Sequence, residues 1–307
     1  MRRFHYFVVD VFTRNRFGGN PLAVVTAAVG LSDAEMQLIA REFNFSETTF
    51  VLPAQSPGNT ARVRIFNRTQ EMPFAGHPNV GTGWVFSRLL AQKGVEPAGT
   101  LRFEEIAGVV DVRLLHEGEI CTGAAITAPQ ALQVGSAMDP AMVAACIQLP
   151  EGSVLTKGHA PVEVSVGLAF VIAEVDPEAL HRAEPDLAAF RHAVSQGRGR
   201  LSAARFSLFL YARADASGRK LKARMFSPLT GTVEDPATGS ASAALAAFLA
   251  AREDLADGVC SFEIEQGVKM GRPSEIRLEV NKRAGEVVAV SIAGQVVPVM
   301  EGELVLD

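Results

Sequence analysis

Two segments of the chain repeat one pattern of residues that could do chemistry. Both read Glu-x-Pro-x-x-Gly before an apolar run: EMPFAGHPNVGTGWVF begins at Glu71 and EDPATGSASAALAAFL begins at Glu234. The residue after the glycine is His77 in the first copy and Ser240 in the second. Small residues at a helix start leave backbone N–H groups open to a ligand, and such groups attract anions. The repeat therefore predicts two helix starts that form one anion-binding cleft.

Six polar residues are candidates for acid–base chemistry or its support: Glu47, His77, Asp235 and Ser240, with Glu71 and Glu234 beside them. Each also has a structural explanation when it is taken alone. Glu47 would be a solvated strand end, Asp235 an N-cap before a proline, and His77 a satisfied histidine at a helix start. Glu71 and Glu234 precede turns and would bond backbone near the helix starts. Both explanations stay open on the residues alone.

Other kinds of active site find little support in the sequence. Of the six histidines only His181 and His192 are near each other, and no HExxH pattern is present. The segment RFGGNP is neither GxGxxG nor a phosphate-binding loop, and no GxSxG elbow occurs. We therefore expect no metal site, and acid–base chemistry on a small anionic molecule remains.

The composition is that of an ordinary globular protein. The 307 residues are 48% hydrophobic and 21% charged, with a formal net charge of -5, which argues against a nucleic-acid partner. The three cysteines are an odd number without a CxxC pattern, and they are expected to be reduced core residues. No signal peptide or membrane-spanning run is apparent. These features predict a cytoplasmic protein without a membrane partner.

The same order of predicted elements occurs in both halves of the chain. Strand-like runs dominate each half, and each contains one helix that is apolar on nearly every face, at residues 80–91 and 239–251. A surface helix with Ser32 and Glu35 at capping-box spacing lies in the first half. The second half restarts with a helix after Asp139, followed by proline at its first position. We place the domain boundary between residues 128 and 129.

Five motifs together resemble the signatures of the PhzF family of phenazine-biosynthesis isomerases. They are DVFTRNRFGGNPLAVV, FNFSETTFV, EMPFAGHP, FSPLTGTVEDPATGSASAAL and QGVKMGRPSEI, in this order. The resemblance implies an α+β protein with the diaminopimelate epimerase-like fold: two pseudo-symmetric domains, each a β-barrel wrapped around a central helix. It places the active site between domains 1–128 and 129–307, and the last strands, after about Gly285, can return to the first domain.

The resemblance also implies roles for individual residues. Glu47 matches the general acid/base of the family's reference enzyme, which shifts a proton along a dihydro-hydroxyanthranilate ring without a cofactor. We expect His77 and Asp235 to be catalytic with it. The expected substrate-binding residues are Asn20, Ser46, Gly76, Gly239 and Ser240, with backbone N–H groups around the two glycines receiving a carboxylate. A homodimer is expected from the same resemblance.

Two departures from related patterns bear on the reaction. The epimerases of this fold have a cysteine before each repeated glycine, whereas this chain has Ala75 and Thr238, so thiol-based racemisation is not expected. Asn67 and Arg68 stand where family members commonly have Thr-Pro, which affects the choice of substrate. Two alternatives stay open: a racemase or epimerase of another small acid, and a non-catalytic binding protein that retains the fold.

Overall fold

A buried helix lies at the centre of each of two units of the chain. The structure is a computed structural model that describes residues 1–196, 206–253 and 256–307. The first unit is Met1–Thr127 with Ile292–Asp307, and the second is Ala128–Ser291. The sequence-based boundary was 128/129, and the chain's last segment belongs to the first unit.

The first unit is a closed eight-stranded barrel. Its strands are β1 (Arg2–Val11), β2 (Asn20–Val25), β3 (Glu47–Leu52), β4 (Ala61–Asn67), the short β5 (Glu71–Met72), β6 (Thr100–Glu105), β7 (Gly108–Glu117), β8 (Ile120–Thr127) and the end of the long last strand, β18 (Glu286–Leu306). Hydrogen-bonded pairs run around the ring in the order β18, β1, β2, β3, β4, β6, β7, β8 and back to β18. Strand β5 pairs with β4 outside this ring. Full closure leaves the ring without an edge strand.

Two helices complete the first unit. Helix α1 (Asp33–Phe43) is amphipathic and begins with the predicted capping box of Ser32 and Glu35. Helix α2 (Gly76–Gln92) is buried from its first residue and contacts β1, β2, β3, β7 and β8. A Cβ atom added at Gly81 would lie 2.6 Å from Leu22 Cδ2. The helix thus needs a glycine at position 81, where it packs closely against the side chain of Leu22 on β2.

The second unit wraps strands around another helix. Its strands are β9 (Gln133–Ala137), β10 (Val154–Leu155), β11 (Val162–Ser165), β12 (Ala169–Val175), β13 (Leu208–Arg213), β14 (Lys220–Ser227), β15 (Thr232–Asp235), β16 (Gly258–Gln266) and β17 (Ser274–Arg283). Pairing runs in the order β9, β11, β12, β13, β14, β16, β17. The helices are α3 (Pro140–Cys146), α4 (Pro177–Arg182), α5 (Leu187–Gln196) and α6 (Gly239–Arg252). Helix α6 contacts β11, β12, β16 and β17, and its alanine-rich faces are buried all round.

The two units repeat one topology. Strand β2 is parallel to β3 as β12 is to β13, and β4 is parallel to β6 as β14 is to β16. The central helix follows the short strand β5 or β15 and leads to the next parallel strand in both units. Pairs Arg62↔Glu104 and Lys222↔Glu265 occupy equivalent places. The predicted α+β fold of two similar halves, each built around a central helix, is confirmed.

In each unit an arginine forms two parallel bonds to the glutamate of the short strand before the central helix, and we call this pair the clasp. Arg64 on β4 holds Glu71 on β5 through two bonds, Nε to Oε1 at 2.7 Å and Nη2 to Oε2 at 2.6 Å. Arg224 on β14 holds Glu234 on β15 in the same way, with both distances 2.8 Å. The two glutamates therefore bond guanidinium groups on the neighbouring strand, whereas the structural explanation offered from the sequence had them bond backbone near the helix starts. Each clasp fixes the short strand that precedes a central helix.

The three cysteines are free, and only Cys146 is fully buried, while Cys121 and Cys260 are half-buried. The expectation of three core cysteines is thus correct for one of them. Across the part of the chain that the structure describes, no helix has the length and apolar character needed to cross a membrane.

Candidate active site

The first predicted catalytic pair lies at the start of α2. Glu47 is the first residue of β3, and its Oε2 atom lies 3.5 Å from Nε2 of His77, the second residue of α2. The His77 side chain is 7% exposed and that of Glu47 is 19% exposed. At the helix start, therefore, a carboxyl group with access to solvent faces a buried imidazole.

The His77 ring is neutral at physiological pH. Burial lowers the pKa of His77 to about 3, because an apolar environment disfavours the charged imidazolium. The 3.5 Å contact is too long for a strong hydrogen bond and is not an ion pair when the imidazole is uncharged. His77 is therefore suited to exchange hydrogen bonds with a polar group, not to supply a positive charge.

The start of α2 has no side-chain cap. Ala75 occupies the N-cap position, and the first turn contains no acidic residue. By contrast, the N-cap side chains Ser32, Asp139 and Asp176 each accept a backbone N–H at the starts of α1, α3 and α4. The backbone N–H groups at the α2 start are thus left for other acceptors, which is the arrangement that binds carboxylates and phosphates.

The predicted substrate-binding residues of the first unit lie around this helix start. Gly76 is the first residue of α2, and Ser46 directly precedes Glu47. Asn20 is fully buried at the start of β2. Strand β2 runs parallel to β3, and Leu22 on β2 pairs with Glu47 on β3. The fold therefore brings these three residues to the same end of the barrel as the Glu47–His77 pair.

The second unit holds the other predicted residues at the start of α6. Asp235, the last residue of β15, is 6% exposed and accepts a 2.6 Å hydrogen bond at Oδ2 from the Thr238 hydroxyl. Gly239 and Ser240 are the first two residues of the helix. As at α2, no side chain caps this start and no acidic residue lies in its first turn.

Sequence reasoning missed the residue that holds this segment together. Gln266, at the end of β16, is 1% exposed and bonds both Asp235 and Thr238. Gln266 is the first residue of the QGVKMGRPSEI motif. The motif therefore included this residue but gave no indication of its role. Among the described residues there is no group of three or more His, Cys, Asp or Glu side chains arranged to hold a metal ion.

A family model described as phenazine biosynthesis-like protein matches residues 9–302. The chain belongs to this family, the PhzC/PhzF family. The resemblance that the five motifs indicated is thereby confirmed.

Relatives of known name extend over the whole chain. An uncharacterized isomerase of Mesorhizobium japonicum is 38% identical and covers 99% of both chains. The trans-2,3-dihydro-3-hydroxyanthranilate isomerase of Pseudomonas chlororaphis is 33% identical over 98% of this chain and 99% of its own. The crystal structure of a PhzF-family phenazine biosynthesis protein of Bacillus anthracis superposes with a TM-score of 0.85, at 27% identity and full coverage of both chains. The prediction of a PhzF-type isomerase is confirmed by these relatives.

Proposed function

We propose that this isomerase moves a proton along the ring of a small cyclic carboxylate by acid–base catalysis, without a cofactor. The observation that carries the proposal is the Glu47 carboxyl, partly exposed and 3.5 Å from a buried neutral imidazole at an uncapped helix start. The Pseudomonas chlororaphis relative is named for trans-2,3-dihydro-3-hydroxyanthranilate, a molecule of this class.

Glu47 is the group that takes the proton from one ring carbon and returns it to another. Such a shuttle must be reachable by substrate and must be able to change its charge during the reaction. The neutral His77 ring would bond a polar substituent of the ring or hold the Glu47 carboxyl in place. Free N–H groups around Gly76 would receive the substrate carboxylate, since a helix start favours negative charge.

Asp235 and the start of α6 provide a second set of groups for the same reaction. We propose that Asp235 contributes a charged hydrogen-bond acceptor, and that Gly239 and Ser240 contribute N–H and hydroxyl donors. Asn20 and Ser46 would contact the substrate from the first unit. The anionic substrate, the homodimer and the cytoplasmic location remain predictions, the last supported by the free cysteines.

A thiol-based racemase is not favoured by these residues. Ala75 has no polar side chain, and the Thr238 hydroxyl already donates to Asp235. A racemase that used Glu47 with His77 or Asp235 as opposed bases would exchange the α-hydrogen of its substrate with solvent. A ring isomerase would exchange only the migrating proton, so the exchanged position distinguishes the two reactions.

The proposal is tested with Glu47→Gln in deuterated water, with trans-2,3-dihydro-3-hydroxyanthranilate as substrate. We expect the wild type to convert it with deuterium at the position that receives the proton, because the protonated Glu47 carboxyl is partly exposed and exchanges with solvent before it returns the proton. Glu47→Gln should lose at least ~1000-fold in kcat, because the amide cannot accept and return a proton. It should still be stabilised thermally by the ligand, since binding to the native state raises the melting temperature.

Glu42→Gln is the matched control, because Glu42 is an exposed glutamate near the end of α1. It should retain wild-type kcat and deuterium incorporation. Wild-type turnover in Glu47→Gln would remove Glu47 from the mechanism. Absence of turnover and of thermal stabilisation in the wild type would argue for a different substrate.

A further inference from the structure

The buried amide of Gln266 connects two parts of the second unit's candidate site. Its Nε2 atom donates to the Asp235 carbonyl at 2.8 Å and to Thr238 Oγ1 at 3.1 Å. Its Oε1 atom accepts the Thr238 backbone N–H at 3.0 Å. A rotated amide would set its NH₂ group against that N–H and its oxygen against the Asp235 carbonyl, so these partners fix its orientation. One side chain thus bridges the end of β15 and the N-cap of α6.

The direction of the Thr238 hydroxyl follows from this amide. A threonine hydroxyl has one hydrogen to donate and can accept others. Because Gln266 Nε2 donates to Thr238 Oγ1, the hydroxyl hydrogen is left for Asp235 Oδ2, which lies 2.6 Å away. The chain of donors therefore runs from Gln266 through Thr238 to the Asp235 carboxylate, and each bond strengthens the next.

The backbone after Gln266 holds the same segment from a second side. Gly267 has a φ of +76°, and a Cβ atom there would lie 2.5 Å from the Pro236 carbonyl oxygen. Ser274, the cross-strand partner of Gln266, donates its hydroxyl to that carbonyl at 2.9 Å. The segment between Asp235 and α6 is therefore fixed by the end of the β16–β17 hairpin.

We propose that Gln266 is a positioning residue of the isomerase, which sets the Asp235 carboxylate and the start of α6 in one fixed arrangement through Thr238. The inference rests on the proposed function, in which Asp235 takes part in the reaction. Gln266 acts through Thr238 and Asp235 and is not itself assigned a contact with substrate.

The experiment compares Thr238→Val, Thr238→Ser and Gln266→Met, with Gln133→Met as the control at an exposed position of β9. Turnover of trans-2,3-dihydro-3-hydroxyanthranilate gives kcat, KM and the pH profile. Thr238→Val is nearly isosteric and removes the hydroxyl, so it is expected to fold. We expect Thr238→Val and Gln266→Met to lose ~10–100-fold in kcat with less than ~3-fold change in KM, because a misplaced group mainly affects the transition state. Thr238→Ser and Gln133→Met should stay within ~3-fold of wild type.

A second measurement does not depend on turnover. The side-chain carboxyl of Asp235 is followed by ¹³C NMR, with Asp235→Asn used for assignment. Thr238→Val removes the hydrogen bond to the Asp235 carboxylate, and Gln266→Met removes the donor that directs the Thr238 hydroxyl toward it. Both variants should therefore move the titration midpoint of the carboxyl to higher pH, and Thr238→Ser should keep the wild-type midpoint. Unchanged midpoints in both variants would overturn the positioning role, whatever the activity. A moved midpoint in a protein that shows no turnover would support the positioning role and count against the proposed function.

Discussion

A half-buried glutamate of the first unit, Glu105, whose two carboxyl oxygens are buried, occupies the place that Gln266 has in the second. The pairs Arg62↔Glu104 and Lys222↔Glu265 are equivalent in the two units. Glu105 and Gln266 each follow the glutamate of their pair by one residue, and they end β6 and β16. Burial raises the pKa of Glu105 to about 8, with a smaller opposing effect of the Asn79 side chain. Glu105 is therefore mostly protonated at neutral pH, and a protonated glutamate has nearly the shape of glutamine.

Glu105 should make the stability of the protein depend on pH. An exposed glutamate titrates near pH 4.3, so the unfolded chain loses this proton before the folded one does. The stabilising contribution is complete below about pH 4.3 and is lost as the pH rises towards 8. Glu105→Gln should therefore raise the melting temperature relative to wild type by ~2 °C or more at pH 8, and by less at pH 5.

Calorimetry of Glu105→Gln from pH 5 to pH 8 checks this prediction, with Glu96→Gln as the control at an exposed position. The control should differ from wild type equally at both pH values. A Glu105→Gln curve parallel to the wild-type curve would show that the carboxyl is already ionised in the folded protein.

At the scale of residues, the sequence predicted the candidate site residues better than the residues that contact them. The sequence identified Glu47 and His77 as candidates. Their 3.5 Å contact depends on the pairing of β2 with β3 beside α2, which the sequence does not show. Gln266 and Glu105 escaped notice because nothing in their local sequence distinguishes a buried amide or acid from an exposed one. Burial of such groups is decided by strand register, which no short motif encodes.

At the scale of elements, the clasp holds each short strand against its neighbour. Arg224 is the more buried arginine, with 6% of its side chain exposed against 12% for Arg64. Its Nη1 atom also donates to the Ala183 carbonyl at 2.6 Å and the Leu180 carbonyl at 3.0 Å, at the end of α4. One guanidinium thus joins β14, β15 and α4.

Arg224→Lys should destabilise the protein by about 2 kcal/mol, because an ammonium cannot make the two parallel bonds to Glu234 and still reach the α4 carbonyls. Urea unfolding measures the change. The control is Arg102→Lys, whose pair with Asp111 is largely exposed and should change stability by less than about 0.5 kcal/mol. Equal effects of the two substitutions would mean that the buried clasp contributes no more than a surface pair.

Periodicity predicted the elements well and their ends less well. The apolar run placed the first central helix at residues 80–91, but α2 begins at Gly76, because the turn Gly-His-Pro-Asn is helical without any capping side chain. The capping box of α1 and the Asp139 cap of α3 were predicted correctly, since both starts carry their own local signal. The starts of α2 and α6 carry no capping side chain and therefore lack that signal.

At the scale of the molecule, the first barrel is closed by a tight contact between β8 and β18. A Cβ atom added at Gly123 would lie 2.0 Å from the Gly294 carbonyl oxygen, and its three nearest atoms all belong to the backbone of Gly294 and Gln295, which cannot rotate away as a side chain could. Gly123 thus allows the last strand to lie directly against β8.

Gly123→Ala should lower the free energy of unfolding by about 2 kcal/mol or more, as overpacking against backbone does. Gly99→Ala is the control, because nothing lies within 4 Å of a Cβ atom there and its φ is not positive. Denaturant unfolding of both variants checks the prediction. If Gly123→Ala were as stable as the wild type, β8 and β18 would be able to move apart far enough to hold a methyl group between them.

The return of β18 to the first unit also determines when that unit can fold during synthesis. The part of β18 in the first unit, which pairs with both β1 and β8, begins at Ile292 and is therefore synthesised after the whole second unit, Ala128–Ser291. Until it emerges, the N-terminal barrel has two unpaired edges that could pair wrongly with other chains. The nascent protein must therefore protect its earliest strands while the whole second unit is synthesised, and chaperones that cover exposed strand edges should matter most in that interval.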